Sequence, residues 1–131
     1  MARILVIEDD PTFRDLLNAH ISGAGHAVQS AEDAAVALRA IVTEPPELIV
    51  LDMKVPYLDS VEILEAIRSD PATLDIPVIV LTGSANDETY ARAYKIGVQD
   101  YFTKPVQNED LIKAIATQLA VAARKRNPLK A

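Results

Sequence analysis

Apolar residues along the chain follow two rhythms. Continuous Val/Ile/Leu runs occupy Ile4 to Ile7, Leu48 to Leu51 and Val78 to Leu81, the pattern of strands covered on both faces. Between them, apolar positions recur at three- and four-residue steps, as in Phe13, Leu16, Leu17 and Ile21, and this predicts helices. Capping residues and breakers mark the ends. Asp10-Pro11 supplies an N-cap and a proline at the first helical position, and Gly23 and Gly25 close that helix. A weaker strand near Ala27-Val28 and an alanine-rich helix from about Glu32 to Val42 precede Pro45-Pro46. Asp59-Ser60-Val61-Glu62 caps a helix carrying Val61, Ile63, Leu64 and Ile67, which Asp70-Pro71 ends, and Pro77 opens the next strand. Ser84 and Asp87 head a helix that runs to Gly97. After the Tyr101-Phe102-Thr103 strand, a last helix presents Leu111, Ile112, Ile115 and Leu119 on one face as far as Asn127-Pro128.

Five strand–helix pairs in alternation require right-handed crossovers, which place helices on both faces of a doubly wound, open parallel sheet. A closed barrel would need more units. The 131 residues fit one domain with a sizeable core. The domain is read as residues 1–123, with 124–131 a basic tail or the start of a linker. Without cysteine, neither disulfides nor thiolate metal sites are available, and the cytoplasm is the expected compartment. Strand-like sequence begins at once and no apolar stretch approaches a membrane span, so neither a leader nor a membrane anchor is expected. A formal charge of -6 argues against direct nucleic acid binding and for attraction of cations. The basic cluster Arg124-Lys125-Arg126 with Lys130 suits a helix end or a solvated tail.

Four of the five strands stop at residues able to do chemistry: Glu8-Asp9-Asp10, Asp52, Thr82 and Lys104. In a parallel sheet these carboxyl ends share one edge, where the ligand crevice of an open sheet lies. Acids, a hydroxyl and an ammonium converging there could hold a hard divalent cation, present a carboxylate nucleophile and neutralise phosphoryl oxygens.

The ordered set Ile-Leu-Val-Ile-Glu8-Asp9-Asp10, Leu51-Asp52-Met53-Lys54-Val55-Pro56, Leu81-Thr82-Gly83 and Asp100-Tyr101-Phe102-Thr103-Lys104-Pro105 resembles the receiver domain of two-component response regulators, over residues 3 to about 122. The resemblance implies a flavodoxin-like sheet of strand order 2-1-3-4-5. It implies that Asp52 is the phosphoacceptor and that Mg2+ is bound by Asp9, Glu8, Asp52 and the backbone carbonyl of Lys54. Thr82 and Lys104 would contact the phosphoryl group, Thr82 and Tyr101 would form a switch, and Lys104-Pro105 would be a cis peptide. Family members usually carry Asp at position 8, where Glu is a frequent alternative. The implied partners are a histidine kinase or phosphotransfer histidine as donor, and a downstream protein or linked output domain. The implied partner face comprises the fourth helix, the Tyr101 strand and the last helix, with a homodimer through it as one use. Such a domain is not an enzyme beyond slow self-catalysed phosphorylation and dephosphorylation.

Asp10 is read as an N-cap, and His20 and His26 as a helix-surface and a strand-start residue, not phosphodonors. The Lys54 side chain is a solvated ammonium or a contact to the phosphoryl group. Ser60, Val106 and Tyr57 depart from residues common in the family. A haloacid-dehalogenase-like phosphatase would need a second acid where Lys54 stands. A flavin module would meet repulsion from Glu8-Asp9-Asp10. A receiver-like module that is never phosphorylated usually loses a site residue, and all are present here.

Overall fold

The computed structural model describes residues 2–54, 60–83 and 88–126, and of Thr89 the backbone alone. Strand and helix alternate as β1 (Arg3–Ile7), α1 (Pro11–Gly23), β2 (Ala27–Ala31), α2 (Ala34–Thr43), β3 (Leu48–Asp52), α3 (Ser60–Ser69), β4 (Val78–Thr82), α4 (Glu88–Ile96), β5 (Asp100–Thr103) and α5 (Asn108–Arg126). All strand pairs are parallel and the order is β2-β1-β3-β4-β5, the doubly wound sheet expected. The capping residues at Asp59, Ser84 and Asp87, the Asn127-Pro128 stop and the departure at Tyr57 lie outside the described residues.

The three continuous runs are the central strands, and β3 and β4 are buried at every position. β2 and β5 alternate in exposure, as edge strands do. Two cores result. On one face Leu5, Ile7, Ile49, Leu51, Val78 and Val80 pack under α2, α3 and α4. On the other, Ile4, Val6, Leu48, Val50, Ile79 and Leu81 pack under α1 and α5. Strand alternation extends this division to the carboxyl edge: Glu8 and Asp52 follow the α1/α5 side, and Thr82 follows Val78 and Val80 to the α3/α4 side.

Local chemistry fixes the ends. Asp10 Oδ1 accepts the Thr12 N–H at 3.0 Å, with Pro11 opening α1. Asp33 Oδ1 accepts the Val36 N–H at 2.9 Å, so α2 starts at Ala34 and not at Glu32. Gly25 and Gly97 take φ of 97° and 129°, and the second ends α4 where the spacing placed it. Leu16, one of the apolar residues at helical spacing in α1, is 50% exposed. The cluster Arg124-Lys125-Arg126 forms the last turn of α5, where the helix dipole favours positive charge.

The guanidinium of Arg68 ties three segments. It donates to the carbonyls of Leu74 (2.8 Å), Ile76 (2.7 Å) and Gly97 (3.2 and 3.3 Å) and to Gln99 Oε1 (2.9 Å). Gln99 Oε1 in turn accepts the Val78 N–H at 2.7 Å, so α3, the start of β4 and the end of α4 are held together.

Candidate functional site

The strand registers bring Glu8, Asp52 and Lys104 to one end of the sheet, because Ile7 pairs Leu51, Asp52 pairs Leu81 and Thr82 pairs Thr103. Backbone bonds past the strand ends keep the loops in place: Glu8 N–H to the Ala31 carbonyl (3.0 Å), Met53 N–H to Leu81 (3.0 Å) and Lys104 N–H to Thr82 (2.8 Å). The Lys104–Pro105 peptide is cis.

Glu8 and Asp52 are buried, at 1% and 2% exposure, and Asp9 stands exposed beside them. One oxygen from each of the three carboxylates lies within 4.8 Å of the others. Lys104 Nζ donates to Asp52 Oδ2 at 2.8 Å and stays 3.9 Å from Glu8 Oε1. The Lys54 N–H donates to Asp52 Oδ1 at 3.0 Å, and the Asp9 N–H to Glu8 Oε2 at 3.0 Å. That leaves Glu8 Oε1 buried with no hydrogen-bond donor among the described residues.

Two buried carboxyls this close to one ammonium cannot both be charged without cost, and their surroundings decide which one is. Burial, reinforced by the neighbouring Asp52 carboxylate, pushes Glu8 up to about 9. Burial also pushes Asp52 upward, but the proton on Glu8, the Lys104 ammonium and the Lys54 N–H outweigh it and hold Asp52 below the usual carboxylate range. The two shifts are opposed: Glu8 is driven toward its protonated form and Asp52 toward its ionised form.

The oxygen set suits a hard cation. Two buried carboxyls and one exposed carboxylate converge, the orphaned Glu8 oxygen lacks a donor, and no histidine or cysteine adjoins them among the described residues. Mg2+, which takes one or two carboxylates and keeps several waters, fits such a donor set better than softer ions.

The remaining predicted residues are spread around this cluster. Lys54 lines the cleft with Glu8, Asp52 and Lys104, and its exposed side chain reaches the neighbourhood of Gly83, whose Cβ position lies 3.9 Å from Nζ. Thr82 is 1% exposed at the end of β4. Tyr101 stands at the sheet edge, 42% exposed, with its ring 4.8 Å from that of the buried Tyr90, which also faces Tyr94 at 6.3 Å. The structure gathers Glu8, Asp9, Asp52, Lys54 and Lys104 around one cleft, and places Thr82 at the end of the neighbouring β4 and Tyr101 on the edge strand β5. Asp10 is the α1 cap. His20 is joined to Asn108 of α5 across 2.8 Å, and His26 accepts the Ala2 N–H at 3.3 Å.

Three neighbours of the site escape the sequence pattern. Arg14 donates to the Glu8 carbonyl at 3.1 Å. Ser60 Oγ donates to the Asp52 carbonyl at 3.0 Å, which gives this departure from the common glycine a bond of its own. Phe13 lays its ring 5.2 Å from Lys104 Nζ. Position in the first turn of a helix that starts at the sheet's carboxyl edge was the available signal for Arg14 and Phe13.

A family model, the response regulator receiver domain, matches residues 4–116. The chain belongs to the response regulator receiver domain family. Among its relatives, the DNA-binding dual master transcriptional regulator RpaA of Synechocystis is 34% identical over 119 residues, covering 91% of this chain and 49% of RpaA. Protein PilH of Pseudomonas aeruginosa is 33% identical, with coverage of 92% and 99%. The receiver thus spans about half the length of RpaA and nearly all of PilH. Among solved structures, a CheY-like receiver domain from Methanospirillum hungatei superposes with a TM-score of 0.89 at 27% identity, covering 95% of this chain and 98% of that one. NtrX from Brucella abortus superposes at 0.88 with 32% identity, covering 98% of this chain and 29% of NtrX. The receiver is of the two-component kind, and its Glu8-Asp9-Asp52 cluster is compatible with Mg2+. Among the described residues, no helix is long and apolar enough to cross a membrane.

Proposed function

We propose that this receiver accepts a phosphoryl group on Asp52 from a histidine kinase or a histidine phosphotransfer protein. In the transfer a carboxylate oxygen of Asp52 forms a bond to phosphorus as the donor's nitrogen–phosphorus bond breaks, and the electron pair of that bond stays on the donor nitrogen. The observation that carries this reading is a buried aspartate with an ammonium 2.8 Å from one oxygen and a backbone N–H 3.0 Å from the other, beside two further carboxyls able to hold a cation. Asp52 is thereby a carboxylate nucleophile beside a cation able to neutralise the phosphoryl oxygens.

Asp9, Glu8, Asp52 and the Lys54 carbonyl would hold Mg2+, which would supply the positive charge that offsets repulsion between the Asp52 carboxylate and an incoming phosphoryl group. Lys104 supplies fixed charge from the opposite side, and the Thr82 hydroxyl hydrogen-bonds a phosphoryl oxygen. The switch comprises Thr82 and Tyr101, and the partner face comprises α4, β5 and α5, where Tyr94 and Tyr101 are exposed. That face serves a downstream protein, a linked output domain or a second copy. The domain works in the cytoplasm, residues 1–123 forming the receiver and 124–131 a tail or linker. It binds neither nucleic acid nor membrane directly, and its own chemistry is limited to slow self-phosphorylation and dephosphorylation.

The test uses Mg2+ with acetyl phosphate. Asp52→Asn should lose the acid- and hydroxylamine-sensitive phosphoryl label, and beryllofluoride should change the environment of Tyr101 in the unsubstituted protein only. Labelling of Asp52→Asn at the unsubstituted level would end the assignment.

A further inference from the structure

Among the described residues the Lys104 ammonium lies beside the Asp52 carboxyl at 2.8 Å, the Glu8 carboxyl at 3.9 Å and the face of Phe13, with Nζ 5.2 Å from the ring centroid. The last distance is inside the range of about 6 Å over which a ring quadrupole attracts a cation. Phe13 is itself held. It is half-buried, packs against the α1/α5 core and sits in the first turn of α1, directly after the Asp10 cap. The ring is thus a fixed wall, whereas the Lys104 side chain remains 30% exposed and has water as its alternative surroundings.

We propose that Phe13 is a positioning residue for phosphoryl transfer, its ring face holding the Lys104 ammonium over Asp52 by cation–π attraction. The inference rests on the reading of Asp52 as phosphoacceptor and adds a part to it. During transfer the hydrogen-bond partner of Lys104 must change, because the Asp52 oxygen that forms the new bond gives up charge while phosphoryl oxygens arrive. A third carboxyl, in the place of Phe13, would compete with those oxygens for the ammonium. An aromatic face attracts the cation without taking any of its three N–H donors and without titrating. The ammonium therefore stays at the mouth of the site while its hydrogen bonds are exchanged. An aliphatic residue of similar bulk would fill the space and leave the cation free to turn to solvent.

Fluorinated phenylalanines placed at position 13 of the full chain withdraw charge from the ring face at nearly constant volume, and so separate attraction from packing. Two readouts are taken. The first is the ring-current displacement of the Lys104 ε-methylene resonance in the resting protein, with Phe13→Leu as its zero. The second is the rate of Asp52 phosphorylation by acetyl phosphate with Mg2+, resolved into kcat and KM. The unsubstituted protein should show the displacement. The logarithm of kcat should fall stepwise with fluorine number, to a total loss of about threefold to tenfold. Phe13→Leu should fall at least as far, and Phe13→Tyr should stay within about twofold. Equal kcat across the fluorinated series, or a Lys104 resonance unmoved between Phe and Leu, would overturn the inference. Equal labelling of Asp52→Asn and the unsubstituted protein would instead strike the phosphoacceptor reading, while the resonance would still report on the ring contact.

Discussion

Glu8 makes the charge arithmetic of the site measurable without any phosphodonor. The folded protein keeps the Glu8 proton up to about 9, against an ordinary value of 4.5, because the carboxyl is buried beside an ionised Asp52. Between these values the folded state binds one proton more than the unfolded chain, so the free energy of unfolding falls as pH rises. The stability linked to that proton is complete below about 4.5 and is lost progressively as pH climbs through 9. One proton corresponds to at most about 1.4 kcal/mol per pH unit, hence about 2–3 kcal/mol between roughly pH 6 and pH 8. Asp52 works in the opposite window, since its lowered value gives stability that is present above 3.8 and lost as acid approaches the folded value. It leaves the neutral range untouched.

The assay is urea unfolding in EDTA at several pH values, for the unsubstituted protein and for Glu8→Gln. Groups shared by the two proteins cancel in the difference, which should carry a slope approaching that of one proton. Mg2+ competes with the same proton, so its apparent affinity should rise up to tenfold per pH unit over this range. Added Mg2+ at about ten times its dissociation constant should restore about 1.4 kcal/mol at about pH 8. A difference slope below about 0.3 kcal/mol per pH unit would refute the assignment of the proton to Glu8.

Further outcomes follow from other contacts. Arg68→Met should lower the free energy of unfolding by about 3 kcal/mol, because it strips donors from the carbonyls of Leu74, Ile76 and Gly97; urea titration measures it, and a loss below about 1 kcal/mol would contradict the staple. Lys104→Met removes the ammonium from Asp52 and should slow phosphorylation by acetyl phosphate at least about tenfold, with a rate within about twofold of normal as the contrary result. Lys54→Ala should alter the lifetime of the acyl phosphate by about twofold to fivefold if the Nζ near Gly83 reaches the phosphoryl group, and an unchanged lifetime leaves Lys54 a solvated ammonium.

Sequence rhythm was most informative where burial is two-sided. The runs at Ile4–Ile7, Leu48–Leu51 and Val78–Leu81 have no polar position because both faces are covered, and each became a central strand. Leu16 shows the limit of the rule. Its helical spacing matches Phe13 and Leu17, yet it lies on the rim of the acid cleft, because a helix stripe wider than its contact leaves some apolar residues at the border. The acid cluster was legible because parallel strands put their ends on one edge whatever the loops do. Arg68, Ser60 and Phe13 were not, since a staple, a hydroxyl on a carbonyl and a ring under an ammonium depend on three-dimensional neighbours that no local spacing encodes.

The division of the sheet into two faces sets what a charge change at Asp52 has to cross. Glu8, Asp52 and Lys104 belong to the α1/α5 side, and Thr82 and Tyr101 to the side of α3 and α4. A backbone bond joins the two sides at the strand ends. The Thr82 carbonyl accepts the Lys104 N–H at 2.8 Å, so the residue buried on one face holds the strand end that bears the ammonium of the other. Tyr101 lies on the edge strand three residues before Lys104, which directly follows that strand, and alternation points the two side chains to opposite faces. A shift of the β5 end that follows Lys104 toward a phosphoryl group would therefore move Tyr101 against Tyr90, and an edge strand, paired on one side only, resists such a shift less than a central one.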